Sequence, residues 1–185
     1  MEIVLLRHGK PDIQLKGMAQ ANEIAHHLSR YDQAPVTETP PSEAINIALT
    51  CDAVICSSLI RSHHSATALG LTEIHVFESL FDEIAMPHYK NGSLILPLHA
   101  WGIIYRLMSL VGFSHNGESY GQAKQRAKQA VAKLTALAAK NRRTLLIGHG
   151  FMNHFIAKEL RKQNWQGPGS PGKKHWSFSL YKKIN

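Results

Sequence analysis

Runs of apolar residues along the chain predict five β-strands. Residues 3–6 and 145–147 are apolar without alternation, which is typical of strands that are buried on both faces. Strands of this kind belong to parallel sheets covered by helices. The predicted strands are residues 2–6 (EIVLL), 52–57 (DAVICS), 74–77 (IHVF), 144–148 (TLLIG) and 177–184 (SFSLYKKI).

Apolar residues recur at helical spacing between several of these strands. In residues 17–30 every third or fourth position is apolar, which predicts a helix with one buried face. Residues 120–140 repeat the pattern opposite a face of Lys and Gln, and Ser119 and Gln122 have the spacing of a capping box. The positions on the two apolar faces are Met18, Ala21, Ala25 and Leu28, and Ala123, Ala127, Ala130, Leu134 and Leu137.

The alternation of strands and helices predicts an α/β fold. We expect a three-layer α/β/α sandwich with a mostly parallel central sheet, formed by a single domain over residues 1–185. Residues 84–117 are predicted to form an excursion from this domain with one helix at about 97–110. Residues 163–175, rich in Gly and Pro, are predicted to be a mobile loop before the last strand.

Composition narrows the class of protein and of partner. The 185 residues are 44% hydrophobic, enough for one buried core, and the net charge of +8 favours anionic partners such as phosphate esters, nucleic acids or acidic surfaces. No window approaches the roughly 18 apolar residues of a membrane span. The first residues lack the pattern of a secretion signal. We therefore expect a cytoplasmic protein with no membrane partner.

The two cysteines are predicted to be structural thiols. Five extended residues separate the α-carbons of Cys51 and Cys56 by roughly 16 Å, which is too far for a disulfide between them. Free thiols fit a reducing compartment.

Basic residues and histidines follow three of the predicted strands. The first strand ends in Arg7-His8-Gly9, the strand at 144–148 ends in His149-Gly150, and Arg61 lies in the first turn of a helix expected near Ser58. Ligands of parallel α/β sheets bind beyond the carboxyl ends of the strands. If these strands are parallel, Arg7, His8, Arg61 and His149 can face one point.

The chemistry of this set favours a phosphoryl group. Two guanidinium groups match a tetrahedral oxyanion, and a helix N-terminus adds backbone N–H donors. An imidazole held at a strand end can direct one ring nitrogen at phosphorus, which makes His8 the candidate nucleophile. Glycine after each histidine is predicted to allow positive φ and close approach of the ligand to the backbone. A lone His or Arg is more often structural, so the prediction depends on the four residues together.

These motifs resemble those of the histidine phosphatase superfamily, the phosphoglycerate-mutase-like and acid-phosphatase-like proteins. The similarity runs in family order from residue 3 to about 160 and suggests a small member. It is carried by LLRHGKP with its Arg-His-Gly signature, GMAQANEIAHHL, CSSLIRSHHSA, NGES and LLIGHGF. The resemblance implies a phosphoglycerate-mutase-like fold, a phosphatase-type activity and no metal or other cofactor.

The resemblance also implies roles for individual residues. His8 would be transiently phosphorylated, while Arg7, Arg61 and His149 would bind the phosphoryl group and stabilise its charge. The acid that protonates the leaving oxygen would be Glu83, in the segment ESLFDEIAMP, with Asp82 as the reserve candidate. A positioned general acid typically contributes ~10²- to 10⁴-fold to the rate.

The sequence also departs from the family pattern. Lys10-Pro11-Asp12 stands where many members have Glu or Gln, then Thr, and Ser65 replaces a common Thr. Pro87 replaces a Gly that usually follows the acid segment. The polar contacts at these positions are therefore left open.

Two other motifs are rejected as ligand sites. Residues 167–174 (GPGSPGKK) begin like a P-loop, but Lys174 replaces the required Ser or Thr and a strand follows instead of a helix. Twelve histidines show neither His-Glu-x-x-His nor another recognised metal spacing. The lysines of residues 124–140 come with no nucleic-acid motif, so we do not expect a nucleic-acid partner.

The sequence therefore predicts a metal-independent phosphoric monoester hydrolase that acts on a small phosphorylated substrate through His8. A mutase-type phosphotransferase is the runner-up, because residues 84–117 are short for the insertions that enclose a mutase site. A phosphohistidine phosphatase is a further possibility at the level of substrate. A non-catalytic phosphate- or nucleic-acid-binding domain is the alternative from another class. The substrate and the oligomeric state are left open.

Overall fold

A six-stranded sheet forms the centre of the computed structural model, which describes residues 1–184. The strand order is β4-β3-β6-β1-β8-β7. The inner strands β1, β3 and β6 and the edge strand β4 are mutually parallel, while β8 runs antiparallel to β1 and β7 antiparallel to β8. The sheet strands are β1 (Glu2–Arg7), β3 (Ala53–Ser57), β4 (Val76–Glu78), β6 (Arg143–Gly148), β7 (Trp165–Gln166) and β8 (Phe178–Lys183).

Helices cover both faces of the sheet, as predicted. Ile3 and Leu5 face a core formed with α5 and α6, while Val4 and Leu6 face a second core formed with α2 and α3. Successive strand residues point to opposite faces, so an uninterrupted apolar run fills both cores. The helices are α1 (Ile24–Gln33), α2 (Ser42–Leu49), α3 (Ile60–Ala68), α4 (Leu98–Leu110), α5 (Tyr120–Lys140) and α6 (Gly150–Lys162).

The predicted helix over residues 17–30 is wrong at its start. Residues Met18–Gln20 form a short strand, β2, which pairs antiparallel with β5 (Ile95–Pro97) in a separate two-stranded sheet. Met18 is exposed, and the helix begins only at Ile24, which is its buried residue. Pairing with a distant segment keeps these residues extended in spite of their helical spacing.

The excursion, residues 84–117, packs against the segment that contains β2 and the start of α1. Its helix α4 was predicted at about 97–110, and Trp101 and Tyr105 on that helix form a small third core with Ala19, Ala21 and Ile24. The excursion is therefore fixed to the segment that follows β1.

Other differences are local. The predicted strand at 74–77 is shifted to Val76–Glu78, α2 was not predicted, and residues 163–175 include the two-residue strand β7. The capping box of α5 is present: Ser119 Oγ accepts from the Gln122 N–H at 3.2 Å. Cys51 and Cys56 are free thiols. No helix within residues 1–184 has the length and apolar character that crossing a bilayer requires.

Candidate active site

The ends of β1, β3 and β6 lie side by side at one edge of the sheet. Arg7 is opposite Gly148 in the parallel pairing of β1 with β6, and β3 pairs with the other side of β6. The residues that follow these strands therefore meet. The His8 and His149 rings lie 4.9 Å apart between centroids, and Arg61 enters the same space from the first turn of α3.

His8 is a buried neutral imidazole with one free ring nitrogen. Its Nδ1 lies 2.6 Å from the carbonyl oxygen of Gly9. A carbonyl only accepts hydrogen bonds, so Nδ1 carries the proton and the Nε2 lone pair is free. Burial, followed by the charge of Arg61, lowers the pKa of His8 to about 3. The side chain is therefore in its nucleophilic form at neutral pH.

Arg61 connects His149 with an acidic residue that the sequence did not single out. Its Nε donates to Nδ1 of His149 at 3.3 Å, and its Nη1 donates to Oδ1 of Asp32 at 2.8 Å. The guanidinium also lies 5.0 Å from the centroid of the Tyr31 ring. Asp32 and Tyr31 are on α1, so that helix orients the guanidinium of a residue that is only 1% exposed.

His149 is fully buried, and protein groups occupy both of its ring nitrogens. Nδ1 accepts from Arg61, so the proton is on Nε2, which donates to Ser57 Oγ at 2.7 Å. Burial, followed by the charge of Arg61, holds the pKa of His149 well below its ordinary value. His149 lies against His8, but it is not among the residues that line the cavity described below.

Arg7 approaches the site from the end of β1. One of its Nη1 protons is donated to the carbonyl oxygen of Lys173, in the loop before β8. Its Nε is buried and has no hydrogen-bond partner within the described part of the chain. An unpaired buried donor favours a bound anion, since leaving it unpaired costs free energy.

Glu83 lies at the N-terminus of α6. Its carboxylate accepts from the backbone N–H groups of Phe151 at 3.2 Å and Met152 at 3.0 Å. The Ile84 N–H donates to it at 2.9 Å. These three donors fix the position of the carboxyl group.

The reserve candidate, Asp82, faces a different group. Its two oxygens accept from the backbone N–H and the hydroxyl of Ser58, both at 2.7 Å. Burial raises the pKa of Asp82, and the hydrogen bonds from Ser58 oppose that shift. Glu83 lines the cavity and Asp82 does not.

A cavity of about 990 Å³ opens beside these residues. Arg7, His8, Arg61 and Glu83 line one part of it. The structure thus brings three of the four predicted phosphate ligands and the predicted acid to one cavity. The fourth predicted ligand, His149, lies against His8 outside the cavity lining.

The glycines that follow the histidines differ from the prediction in their backbone conformation. Neither Gly9 nor Gly150 has a positive φ. A Cβ on Gly9 would lie 2.6 Å from both Trp176 Cε2 and Val36 Cγ1, so these side chains, and not a ligand, occupy the space. A Cβ on Gly150 would meet Arg7 Cζ at 3.5 Å, which is an ordinary contact.

The loop before β8 supplies a third histidine that sequence patterns did not reveal. The His175 ring lies 5.4 Å from that of His8, and the Trp176 N–H donates to the carbonyl of Arg7 at 3.0 Å. Trp176 has a φ of 62°, in the left-handed region. The contact depends on this loop geometry, for which a Gly- and Pro-rich sequence gives no periodic signal.

Comparison with known proteins identifies the family of this arrangement. The family model of the histidine phosphatase superfamily (branch 1) matches residues 3–179. The chain belongs to the histidine phosphatase superfamily. This confirms the resemblance drawn from the Arg-His-Gly signature, and the mixed α/β fold with a mostly parallel sheet agrees with it. Among curated proteins, none matches the sequence significantly.

Solved structures with this fold include proteins that are named as phosphatases. The product of an open reading frame of Mycobacterium tuberculosis is 20% identical, with a TM-score of 0.64 over 97% of this chain and 89% of that one. A mycobacterial glucosyl-3-phosphoglycerate phosphatase is 21% identical, with a TM-score of 0.63 over 97% and 88%. A phosphoserine phosphatase mutant of Entamoeba histolytica is 16% identical, with a TM-score of 0.58 over 97% and 89%. At identities of 16%, 20% and 21%, the structural similarity establishes the fold of the chain. Its family membership comes from the family model.

Proposed function

We propose that the protein is a metal-independent phosphatase that hydrolyses a phosphomonoester through a phosphohistidine on His8. One observation carries the proposal. A neutral imidazole, fixed through Nδ1 on the Gly9 carbonyl, has its Nε2 lone pair free in a cavity that two guanidinium groups and one carboxyl group also line.

In the first step the phosphoryl group moves from the substrate to His8. Nε2 forms a bond to phosphorus while the bond between phosphorus and the leaving oxygen breaks, and Glu83 donates a proton to that oxygen. Arg7 and Arg61 stabilise the charge on the other phosphoryl oxygens in the transition state. The buried, unpaired Nε of Arg7 supports this role.

In the second step water releases the phosphoryl group. The Glu83 carboxylate accepts a proton from water as the water oxygen bonds to phosphorus, and the bond from phosphorus to Nε2 of His8 breaks. The products are inorganic phosphate and the neutral imidazole. The hydrogen bonds from the N-terminus of α6 keep the carboxylate in position for both steps.

His149 supports the reaction through its neighbours. It accepts from Arg61, contacts the His8 ring and has a lowered pKa, so it adds no positive charge beside the nucleophile. Direct contact of His149 with the phosphoryl group stays a prediction, since Arg61 and Ser57 occupy its ring nitrogens.

The test is turnover of p-nitrophenyl phosphate in the presence of EDTA. We expect wild-type activity to resist EDTA and to be lost in His8→Ala. The control is His63→Ala, since His63 is an exposed residue of α3. Incorporation of labelled phosphate that is labile in acid and absent from His8→Ala would support the intermediate.

Three results would contradict the proposal. Equal turnover by wild type and a folded His8→Ala variant would exclude His8 as the nucleophile. Phosphate binding with no turnover of any ester would favour a binding domain, and a steep salt dependence of nucleic-acid affinity would strengthen that alternative. Transfer of phosphate to an added alcohol instead of water would indicate a mutase-type phosphotransferase.

A further inference from the structure

The cavity extends well beyond the residues that would hold a phosphoryl group. Its volume of about 990 Å³ is at the upper end of the range for sites that bind drug-sized ligands. The lining beyond Arg7, His8 and Arg61 comes mainly from α1, from α4 and from residues 84–88. Apolar side chains dominate it, among them Leu28, Ile84, Met86, Leu98, Trp101 and Phe151.

The acidic and amide side chains in the described lining already have protein partners. Asp32 accepts from Arg61, and Glu83 accepts from the N-terminus of α6. Asn116 Nδ2 donates to the carbonyl of His88 at 3.0 Å, and Trp101 Nε1 donates to the carbonyl of Ala19 at 2.9 Å. Each of these side chains therefore already uses at least one polar atom in a contact within the protein.

Two further cations, Arg106 and Lys173, line the cavity, and Arg106 is engaged by protein groups. The guanidinium of Arg106 lies 4.2 Å from the centroid of the Phe151 ring, and its Nη1 donates to the carbonyl of Ile84 at 3.3 Å. Burial lowers the pKa of Arg106. The remaining polar side chains of this wall include four histidines. They are His27, His88, His99 and His154.

The sequence of the excursion agrees with this lining. Residues 84–117 contain no Asp and no Glu. A hydroxyl-rich leaving group would meet mainly apolar side chains here and would regain only part of its hydrogen bonds to water, which opposes binding. An apolar leaving group would instead remove its own surface and that of the wall from water.

Provided that the proposed function holds, we infer that the substrate is a phosphomonoester of a large apolar alcohol. Its phosphate lies at Arg7, His8 and Arg61, and its carbon skeleton, on the order of ten carbons or more, lies between α1 and α4. Each buried methylene adds about fourfold to kcat/KM. The gain comes through KM, since a chain remote from phosphorus is bound equally in the ground and transition states.

The first experiment compares n-alkyl phosphates from ethyl to decyl with glycerol phosphate as the hydrophilic reference, all in monomeric solution. We expect kcat/KM to rise with chain length until the cavity is filled and to be lowest for glycerol phosphate. A flat or falling series in the presence of His8-dependent turnover would overturn the inference while leaving the proposed function intact.

Gly102 offers a way to fill the cavity. It lies on α4 and lines the cavity, its φ is not positive, and a Cβ there meets no atom within 4 Å. In Gly102→Phe we expect the ratio of kcat/KM for decyl to ethyl phosphate to fall on the order of tenfold. The matched control is Ile103→Phe, because the adjacent Ile103 is 59% exposed on the outer face of the helix. An unchanged ratio in Gly102→Phe, or an equal fall in both variants, would contradict the inference.

A binding measurement separates failure of the inference from failure of the proposed function. If no ester is turned over, titration calorimetry with decylphosphonate and ethylphosphonate still tests the cavity. Tighter binding of the decyl compound with a negative change in heat capacity would support an apolar subsite. Equal affinity of the two phosphonates would exclude it.

Discussion

Asp32 and Arg61 form an ion pair that joins α1 to the first turn of α3. Asp32 Oδ1 accepts from Arg61 Nη1 at 2.8 Å, and the Arg61 side chain is 2% exposed while that of Asp32 is 50% exposed. The Arg61 side chain is long and the Asp32 carboxylate is near solvent. We therefore expect Asp32 to orient Arg61 and to add little to the stability of the fold.

Substitutions of Asp32 should separate orientation from charge. Asp32→Ala removes the acceptor, so we expect KM for a phosphate ester to rise roughly tenfold as Arg61 loses its fixed position. Asp32→Asn keeps an acceptor and removes a negative charge near the phosphate, so we expect KM to fall. Steady-state kinetics at constant ionic strength measure both. If the two variants change KM in the same direction, Asp32 does not act by orienting Arg61.

Glu83→Gln should affect the two steps differently. We expect kcat for an alkyl phosphate to fall ~10²- to 10⁴-fold, because the leaving oxygen is no longer protonated. For p-nitrophenyl phosphate, whose leaving group needs no proton, we expect a rapid burst equal to the enzyme concentration and then slow release. Stopped-flow absorbance measures the burst.

Asp82→Asn is the control for the neighbouring carboxyl group. Asp82 is bound to Ser58 and lies outside the cavity lining, so we expect kinetics close to wild type. Normal alkyl ester turnover by Glu83→Gln together with a large loss in Asp82→Asn would reverse the assignment of the acid.

The buried histidines should make the fold sensitive to acid. His8 has a pKa of about 3 in the native state and an ordinary value near 6.5 when unfolded, so the unfolded chain binds protons first as pH falls. This contribution to the free energy of unfolding is therefore present above pH 6.5 and is lost as the pH falls from 6.5 to about 3. The loss is ~1.4 kcal/mol per pH unit for each buried histidine whose native pKa is lowered in this way. His149 contributes in the same direction.

Urea unfolding at several pH values measures this effect. We expect the free energy of unfolding of His8→Asn to fall less steeply below pH 6.5 than that of wild type. Parallel curves for the two proteins would show that His8 is not held neutral by the fold.

Gly9→Ala should reduce stability by steric overlap. The added Cβ would lie 2.6 Å from Val36 Cγ1 and from Trp176 Cε2, so we expect a loss of ~1–3 kcal/mol. Gly150→Ala is the matched control, because its Cβ has an ordinary contact at 3.5 Å. Denaturant midpoints compare the two. Unchanged stability of Gly9→Ala with loss of phosphate affinity would restore the role first predicted for this glycine.

The sequence was sufficient to predict the centre of the fold. Residues 3–6 and 145–147 are apolar at every position because both faces of β1 and β6 are buried. Strands of this kind form parallel sheets, and the carboxyl ends of parallel strands share one edge. That rule predicts that His8, His149 and Arg61 meet at one edge of the sheet, as they do in the structure.

Contacts between distant segments could not be predicted in the same way. Met18–Gln20 has helical spacing, yet it is a strand because it pairs with Ile95–Pro97. Asp32 is one of several polar residues on α1, and only the position of that helix beside α3 gives it a role. The packing of Trp176 on Gly9 depends on a loop with an unusual φ, for which no periodic signal exists.

The position of β1 in the sheet has a consequence for synthesis of the protein. Its two neighbours are β6 and β8, which are translated about 140 residues or more later, and Lys183 N–H donates to the Met1 carbonyl at 3.1 Å. The strand that precedes His8 is thus made well before the strands that pair with it, so the emerging chain lacks the assembled candidate site until β6 and α6 have been translated.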